Sequence, residues 1–109
     1  MSWTYKTLEL SKEVAAGETE CAYEVIPSGK RIHMVKFEGH AVYSVNSVVK
    51  VVWDPEGTPE NVWSTKGDSE SDLNQEYTGN GTKKLRLCLE NGEDGALVMS
   101  GKVIYYEED

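Results

Sequence analysis

The chain contains none of the short motifs that mark common catalytic sites. It has no Gly-x-Ser-x-Gly nucleophile elbow, no His-Glu-x-x-His zinc motif and no glycine-rich phosphate loop. Only two histidines are present. His33 falls inside a predicted strand and His40 follows a predicted bend at Gly39, where a packed or surface histidine is the ordinary expectation. We therefore expect a protein that is not an enzyme and that carries no cofactor.

Cysteine is also scarce, with only Cys21 and Cys88 and no Cys-x-x-Cys pair. Two distant cysteines do not make the disulfide framework of a small secreted domain. The first residues, MSWTYKTLELSKEV, lack the basic-then-apolar layout of a secretory signal. We therefore expect cytoplasmic synthesis without a signal peptide, with a final location on a virion as the alternative. We expect the two thiols to be reduced, with one long-range disulfide as the alternative.

Basic residues are few relative to acidic ones. The chain has 11 Lys and Arg against 19 Asp and Glu, which gives a net charge of −8 and a pI near 4.7. Nucleic acids and anionic membrane surfaces are recognised by clustered Lys and Arg, so neither is an expected partner. No apolar run approaches the roughly 20 residues of a transmembrane helix. The surplus of carboxylates also confers solubility.

What the chain does contain is a series of short segments with strand periodicity. The clearest is Lys83–Glu90, in which leucines occupy every second position. Asn91 and Gly92 then predict a turn that joins this strand to Ala96–Tyr106 as a hairpin. Weaker segments of the same kind are Trp3–Leu10, Glu20–Ile26, Arg31–Phe37, Ala41–Val45, Ser47–Trp53, Asn61–Thr65 and Gln75–Thr78.

Seven or eight short strands with frequent turn signals and no convincing helix favour an all-β fold. We predict a single domain over residues 1–109, an antiparallel β-sandwich of the jelly-roll kind, with an immunoglobulin-like sandwich as the alternative. The composition of residues 54–74 predicts a long exposed connection between the sheets. Within it, Lys66–Asn74 is predicted to be a mobile acidic loop.

Aromatic residues near this connection are candidates for sugar binding. Trp63 has polar neighbours, and Tyr77 follows the acidic segment, so the two rings could form an exposed stacking platform. Trp53 lies in a β-branched segment and is expected in the core.

The acidic segment is also a candidate calcium site. Asp68, Glu70 and Asp72 place carboxylates at alternate positions, as at the start of an EF-hand loop. The sixth position is Leu73 instead of Gly and the twelfth is Gly79 instead of Glu, so the EF-hand pattern fails. A looser calcium site in a sandwich loop and a solvated acidic loop are the two remaining interpretations.

Two stretches resemble a known class of proteins. AAGETECAYEVIPSGKRIHMVKFEG and TGNGTKKLRLCLENGEDGALVMSGKVIYYE combine short strands with Gly-bearing turns, and the second includes the predicted hairpin. This layout resembles small jelly-roll accessory proteins of tailed phages, such as head-decoration and virion-surface proteins. The resemblance implies a non-enzymatic decoration protein docked on other subunits, as an oligomer.

These observations favour a structural or interaction module that docks on protein subunits, as a homo-oligomer or on the surface of a virion or similar assembly. A carbohydrate-binding module with Trp63 and Tyr77 as its platform is the second hypothesis, with a glycan as partner. An enzyme of unknown type is the third.

Overall fold

The computed structural model describes residues 2–41, 44–55, 57–66 and 68–109. In these ranges every helix or strand assignment is a β-strand. The strands are β1 Trp3–Val14, β2 Thr19–Val25, β3 Arg31–His40, β4 Val48–Asp54, β5 Glu60–Lys66, β6 Ser69–Thr78, β7 Lys84–Glu90 and β8 Leu97–Glu108. The described ranges hold no helix with the length and apolar character needed to cross a membrane.

The strands form two four-stranded antiparallel sheets with the orders β1-β8-β3-β6 and β2-β7-β4-β5. The first strand of the chain therefore pairs with the last, and each sheet alternates between early and late strands. This eight-stranded order is that of a jelly roll, whereas in an immunoglobulin-like sandwich the first strand pairs with the second. The predicted all-β sandwich is confirmed.

The core lies between the two sheets and follows the alternation of the sequence. Leu85, Leu87 and Leu89 are fully buried, as predicted from their spacing, and Phe37 and Val103 of the other sheet are buried in the same cluster. Burying each such side chain contributes about 1.5–3 kcal/mol relative to leaving it in water. The hydrophobic alternation of β7 thus fixes which face of its sheet is inward.

The predicted hairpin between the strand at Lys83–Glu90 and the one after it is wrong. β7 pairs with β2 and β4, whereas β8 pairs with β1 and β3, so the two strands belong to different sheets. Residues 91–96 carry the chain from one sheet to the other. Buried Asn91 stabilises this crossing because its amide donates hydrogen bonds to the carbonyls of Val14 and Gly95, both at 2.9 Å.

The long connection predicted over residues 54–74 is also wrong in its second half. The strand predicted at Asn61–Thr65 is part of β5, whereas residues 69–74, predicted as loop, belong to β6, which pairs with β3. Composition misled here because β6 is an edge strand: Glu70 and Asp72 are exposed, and Leu73 is the apolar side chain that packs on the core. Gly67, inside the predicted loop, lies outside the described residues.

The strand predicted at Ala41–Val45 includes Val42 and Tyr43, which lie outside the described residues. On either side of them, Ala41 and Ser44 are not part of a strand, and β3 ends at His40. His40 is therefore the last residue of a strand and does not follow a bend.

The expectation of two reduced thiols is wrong: Cys21 and Cys88 form a disulfide. The β2–β7 register places these residues directly opposite each other, with a Cα–Cα distance of 4.1 Å. That separation is typical of the closer type of antiparallel pair, in which side chains approach most nearly. A separation of 67 residues in sequence gives no indication of this register.

The two ends of the described chain lie side by side. The Asp109 backbone N–H donates to the carbonyl of Ser2, and the hydroxyls of Ser2 and Thr4 donate to the Asp109 carboxylate. These hydroxyl donors hold the pKa of Asp109 below its usual range. The β1–β8 pair is thereby closed at its end.

Candidate interaction site on the outer face of one sheet

The structure separates the aromatic residues that the sequence placed near the connection. Trp53 is only 4% exposed, which confirms its core position, and Tyr77 stacks on it with ring centroids 4.8 Å apart. Burial, followed by a hydrogen bond to Glu60, raises the pKa of Tyr77 to about 12. Trp63 is 38% exposed on edge strand β5. One ring of the predicted sugar platform is thus engaged with the core and the other is exposed, and the site itself stays a prediction.

Two of the three predicted calcium ligands, Asp68 and Glu70, contact other groups of the protein through their carboxylates. Asp68 Oδ1 accepts the backbone N–H of Ala41 at 3.2 Å and lies 3.5 Å from Nδ1 of His40. Glu70 lies 3.7 Å from Nζ of Lys36, and Asp72 is the cross-strand neighbour of that lysine. Among the described residues no group of three or more His, Cys, Asp or Glu is arranged to hold a metal. Calcium binding stays a prediction.

A different group of aromatic residues is brought together on the outer side of the sheet β1-β8-β3-β6. Tyr5 of β1 is paired with Tyr106 of β8, and Tyr106 with His33 of β3. The two tyrosine rings are 5.7 Å apart and meet edge to face, an arrangement that aromatic pairs favour. Tyr5 is 55% exposed and Tyr106 is 39% exposed. We call Trp3, Tyr5, His33, Val35 and Tyr106 the aromatic face.

This face contains a shallow groove of about 410 Å³, lined by Trp3, His33, Val35 and Tyr106. Val35 lies two residues after His33 and so on the same outer side of β3; the register then shifts between Met34 and Lys36, a bulge after which Phe37 returns to the core. Inward-facing Met34 is fully buried, so the bulge changes the outer surface and leaves the core intact.

Arg31 borders the groove and holds a fixed position. Its Cζ lies 5.3 Å from the centroid of the Trp3 ring, within the range of a cation–π contact. Its Nε and Nη2 also donate to Oε2 of Glu108, at 3.2 and 2.8 Å. The hydrogen bond raises the pKa of Arg31 and lowers that of Glu108, so both groups are charged over the physiological range. The face thus already accommodates one guanidinium between an aromatic ring and a carboxylate.

Two rows of side chains cross all four strands of this sheet. The aromatic row is Tyr5, Tyr106, His33 and Glu76, and Nδ1 of His33 lies 3.3 Å from Oε1 of Glu76. The acidic row is Glu9, Lys102, Glu38 and Glu70. Tyr106 and Lys102 are four positions apart on β8, which places the rows roughly 13 Å apart along the strand.

Part of the aromatic face could be predicted from the sequence. Trp3 and Tyr5 occupy alternate positions, which places them on one side of a strand. Tyr106 lies about a hundred positions further along the chain, and only the β1–β8 pairing brings it beside Tyr5. Sequence reasoning therefore missed the face because it depends on long-range register.

The sandwich is shared with solved structures of very different proteins. This fold occurs in a bacteriophage capsid. A chain of the acidic stable capsid of Helicobacter pylori bacteriophage KHP30 is 15% identical with a TM-score of 0.53, covering 99% of this chain and 99% of that one. The Yersinia pseudotuberculosis-derived mitogen is 10% identical with a TM-score of 0.61, covering 90% and 84%. The Drosophila NLP core, whose structure concerns pentamer formation and histone binding, is 9% identical with a TM-score of 0.56, covering 96% and 98%.

No protein-family model matches the chain, and no curated protein sequence matches it. At these identities the structural likeness establishes the fold alone, and this fold serves unrelated functions.

Proposed function

We propose that the protein is a non-catalytic structural or interaction module that docks on other protein subunits, in a virion or a similar assembly. The observation that carries this proposal is the exposure of Tyr5 and Tyr106 beside an apolar groove, on a sheet paired along its whole length. Tyr, Trp and Arg are the residues that most often dominate the binding energy of protein interfaces.

The rigidity of the face supports this role. Strand β8 pairs with β1 on one side and β3 on the other, so the backbone beneath the tyrosines is fixed before any partner arrives. Little conformational entropy is then lost when the face is covered, and a preorganised aromatic surface binds more tightly than a flexible one. The likeness to a phage capsid chain and to phage accessory proteins supports a virion as the setting.

Co-sedimentation with assembled particles from the native source tests the proposal. We expect a tagged wild-type chain to travel with the particles through a density gradient, and Tyr5→Ser/Tyr106→Ser to remain at the top. Tyr23→Ser is the matched control, because Tyr23 is 57% exposed but belongs to the other sheet. A wild-type chain that remains at the top would contradict the proposal, as would a double variant that still sediments with the particles.

The exposure of Trp63 keeps carbohydrate binding as the second candidate. In that case a glycan array would give a ligand for the wild type, and Trp63→Ala would abolish its binding. The same variant would leave particle association unchanged if docking uses the aromatic face. Light scattering on the isolated chain then measures the oligomeric state, for which a homo-oligomer and docking on an assembly surface are the two predictions.

A further inference from the structure

We infer that the partner of the aromatic face is a cationic protein surface that presents arginine, contributed by a different subunit. This inference rests on the proposed docking function and specifies its partner. It follows from the charge of the face, from the position of Arg31 and from the geometry of the sandwich.

The surroundings of the tyrosines are acidic. Glu76 is the neighbour of His33 in the aromatic row, and its side chain is 50% exposed. The acidic row contributes Glu9, Glu38 and Glu70 against two bases, Lys102 within the row and Lys36, whose Nζ lies 3.7 Å from both Glu38 and Glu70. A cationic partner would gain from this potential both in affinity and in association rate, whereas a nucleic acid or an anionic surface would be repelled.

Arg31 shows the kind of contact that this face makes with a guanidinium. The group lies over the Trp3 ring while it donates twice to the Glu108 carboxylate. Exposed Tyr106 and half-exposed Glu76 lie on either side of His33, about 10 Å apart by strand spacing, and offer a second ring and a carboxylate in the same row. Arginine fits such a pair better than lysine because its planar fork stacks on a ring and binds a carboxylate at the same time.

A second copy of this chain fits less well. Two aromatic faces packed on each other would bring two surfaces with an excess of carboxylates together, and like charges across an interface are costly. The outer face of the other sheet holds basic groups that are already engaged: Arg86 lies 3.6 Å from Asp54, Lys50 pairs with Glu90, and Nζ of Lys84 lies 4.9 Å from the centroid of the Tyr23 ring. That face also lies on the opposite side of the sandwich, so contact with it would propagate as an open stack.

Two peptides of equal length and charge test the inference, one carrying six arginines and the other six lysines, spaced by glycine and serine. Fluorescence anisotropy at physiological salt measures their binding to the full chain. We expect the arginine peptide to bind about 10-fold more tightly than the lysine peptide. We expect Tyr5→Ser/Tyr106→Ser to remove that preference and Tyr23→Ser to retain it.

Equal binding of the two peptides, or a preference that survives the double variant, would overturn the inference and leave diffuse charge as the cause. A dimer seen by light scattering and abolished by the double variant would overturn it in favour of a second copy. Particle association tests the docking function separately. If the double variant loses particle association while the wild type does not discriminate between the peptides, docking stands and the arginine partner fails.

Discussion

Cys21 and Cys88 stand directly opposite each other on β2 and β7, and their disulfide fastens an edge strand to its sheet. In the described structure β2 has β7 as its single sheet neighbour. Most of its side chains are exposed, and Ala22 is the β2 side chain that packs against the core. The covalent link therefore supplies stability that β2 does not obtain from burial.

Removing the disulfide is expected to loosen β2 before the rest of the fold. In Cys21→Ser/Cys88→Ser the loss of the cross-link should cost about 2–4 kcal/mol and lower Tm by roughly 10–15 °C. Hydrogen exchange resolved by segment should show faster exchange in β2, with little change in β3 and β8. Wild-type protein treated with a reductant should behave like the variant. Equal protection of β2 in oxidised and reduced protein would contradict the expected role of the bond.

Tyr105 and Tyr77 are expected to titrate above the usual range for a tyrosine. Burial, with a smaller contribution from the carboxylates of Glu24 and Glu107, raises the pKa of Tyr105 to about 12. The pKa of Tyr77 is raised to a similar value. Because the folded protein holds these protons more tightly than the unfolded chain, their contribution to stability is complete below pH 10 and is lost between about pH 10 and 12.

Absorbance near 295 nm against pH measures this titration among the six tyrosines of the chain. Tyr105→Phe should remove one late-titrating group and leave the earlier phase unchanged. A single transition near pH 10 in protein that remains folded by circular dichroism would show that the two rings are solvated.

Gly79 is expected to tolerate no side chain. A Cβ at this position would lie against the backbone carbonyl of Ile26, where no flexible side chain can yield. The segment is also fixed by hydrogen bonds, since Gly79 N–H donates to the carbonyl of Lys30 at 2.8 Å. Gly79→Ala should therefore cost about 1–3 kcal/mol in urea unfolding. Gly95→Ala is the control, because its Cβ would meet open space, and it should change stability little.

Asn91 is expected to be the costliest polar side chain to remove at the opposite end of the sandwich. Besides its two amide donations, its Oδ1 accepts the backbone N–H of Glu93 at 2.8 Å. Asn91→Ala would leave the buried Val14 carbonyl without this donor, which should cost about 1–3 kcal/mol. Asn74→Ala, at an exposed position of β6, should change the free energy of unfolding by less than about 0.5 kcal/mol. Equal effects of the two substitutions would argue against this role for Asn91.

The sequence predicted the sandwich because hydrophobic alternation reports which face of a strand is buried. Leu85, Leu87 and Leu89 illustrate this, since their spacing alone placed them in the core. Alternation does not report which strand pairs with a given strand. The hairpin predicted after Glu90 was wrong for this reason, since β7 and β8 pair with other strands. Of β6, Gln75–Thr78 was predicted and residues 69–74 were missed, because an edge strand needs few apolar residues; β6 contributes Leu73 to the core with Tyr77 beside Trp53.

The candidate site was harder to predict for the same reason. Both the Cys21–Cys88 bond and the Tyr5–Tyr106 contact join residues that are far apart in sequence and meet only through register. Trp63 and Tyr77 were chosen as a pair because they flank one polar segment, but proximity in sequence does not place two rings on one surface. Tyr77 instead faces Trp53 across the sandwich.

Because Asp109 is hydrogen-bonded to Ser2 and Thr4, the chain is nearly a closed loop. A short glycine-rich linker could join residues 2 and 109, and new ends could be opened in the exposed turn between β1 and β2, where Gly17 has a φ of 73° and a Cβ added to it would meet nothing within 4 Å. Such a circular permutant should retain both sheets, since every strand keeps its neighbours. It would also move any fused tag from beside Trp3 to the far end of the molecule, leaving the aromatic face unobstructed.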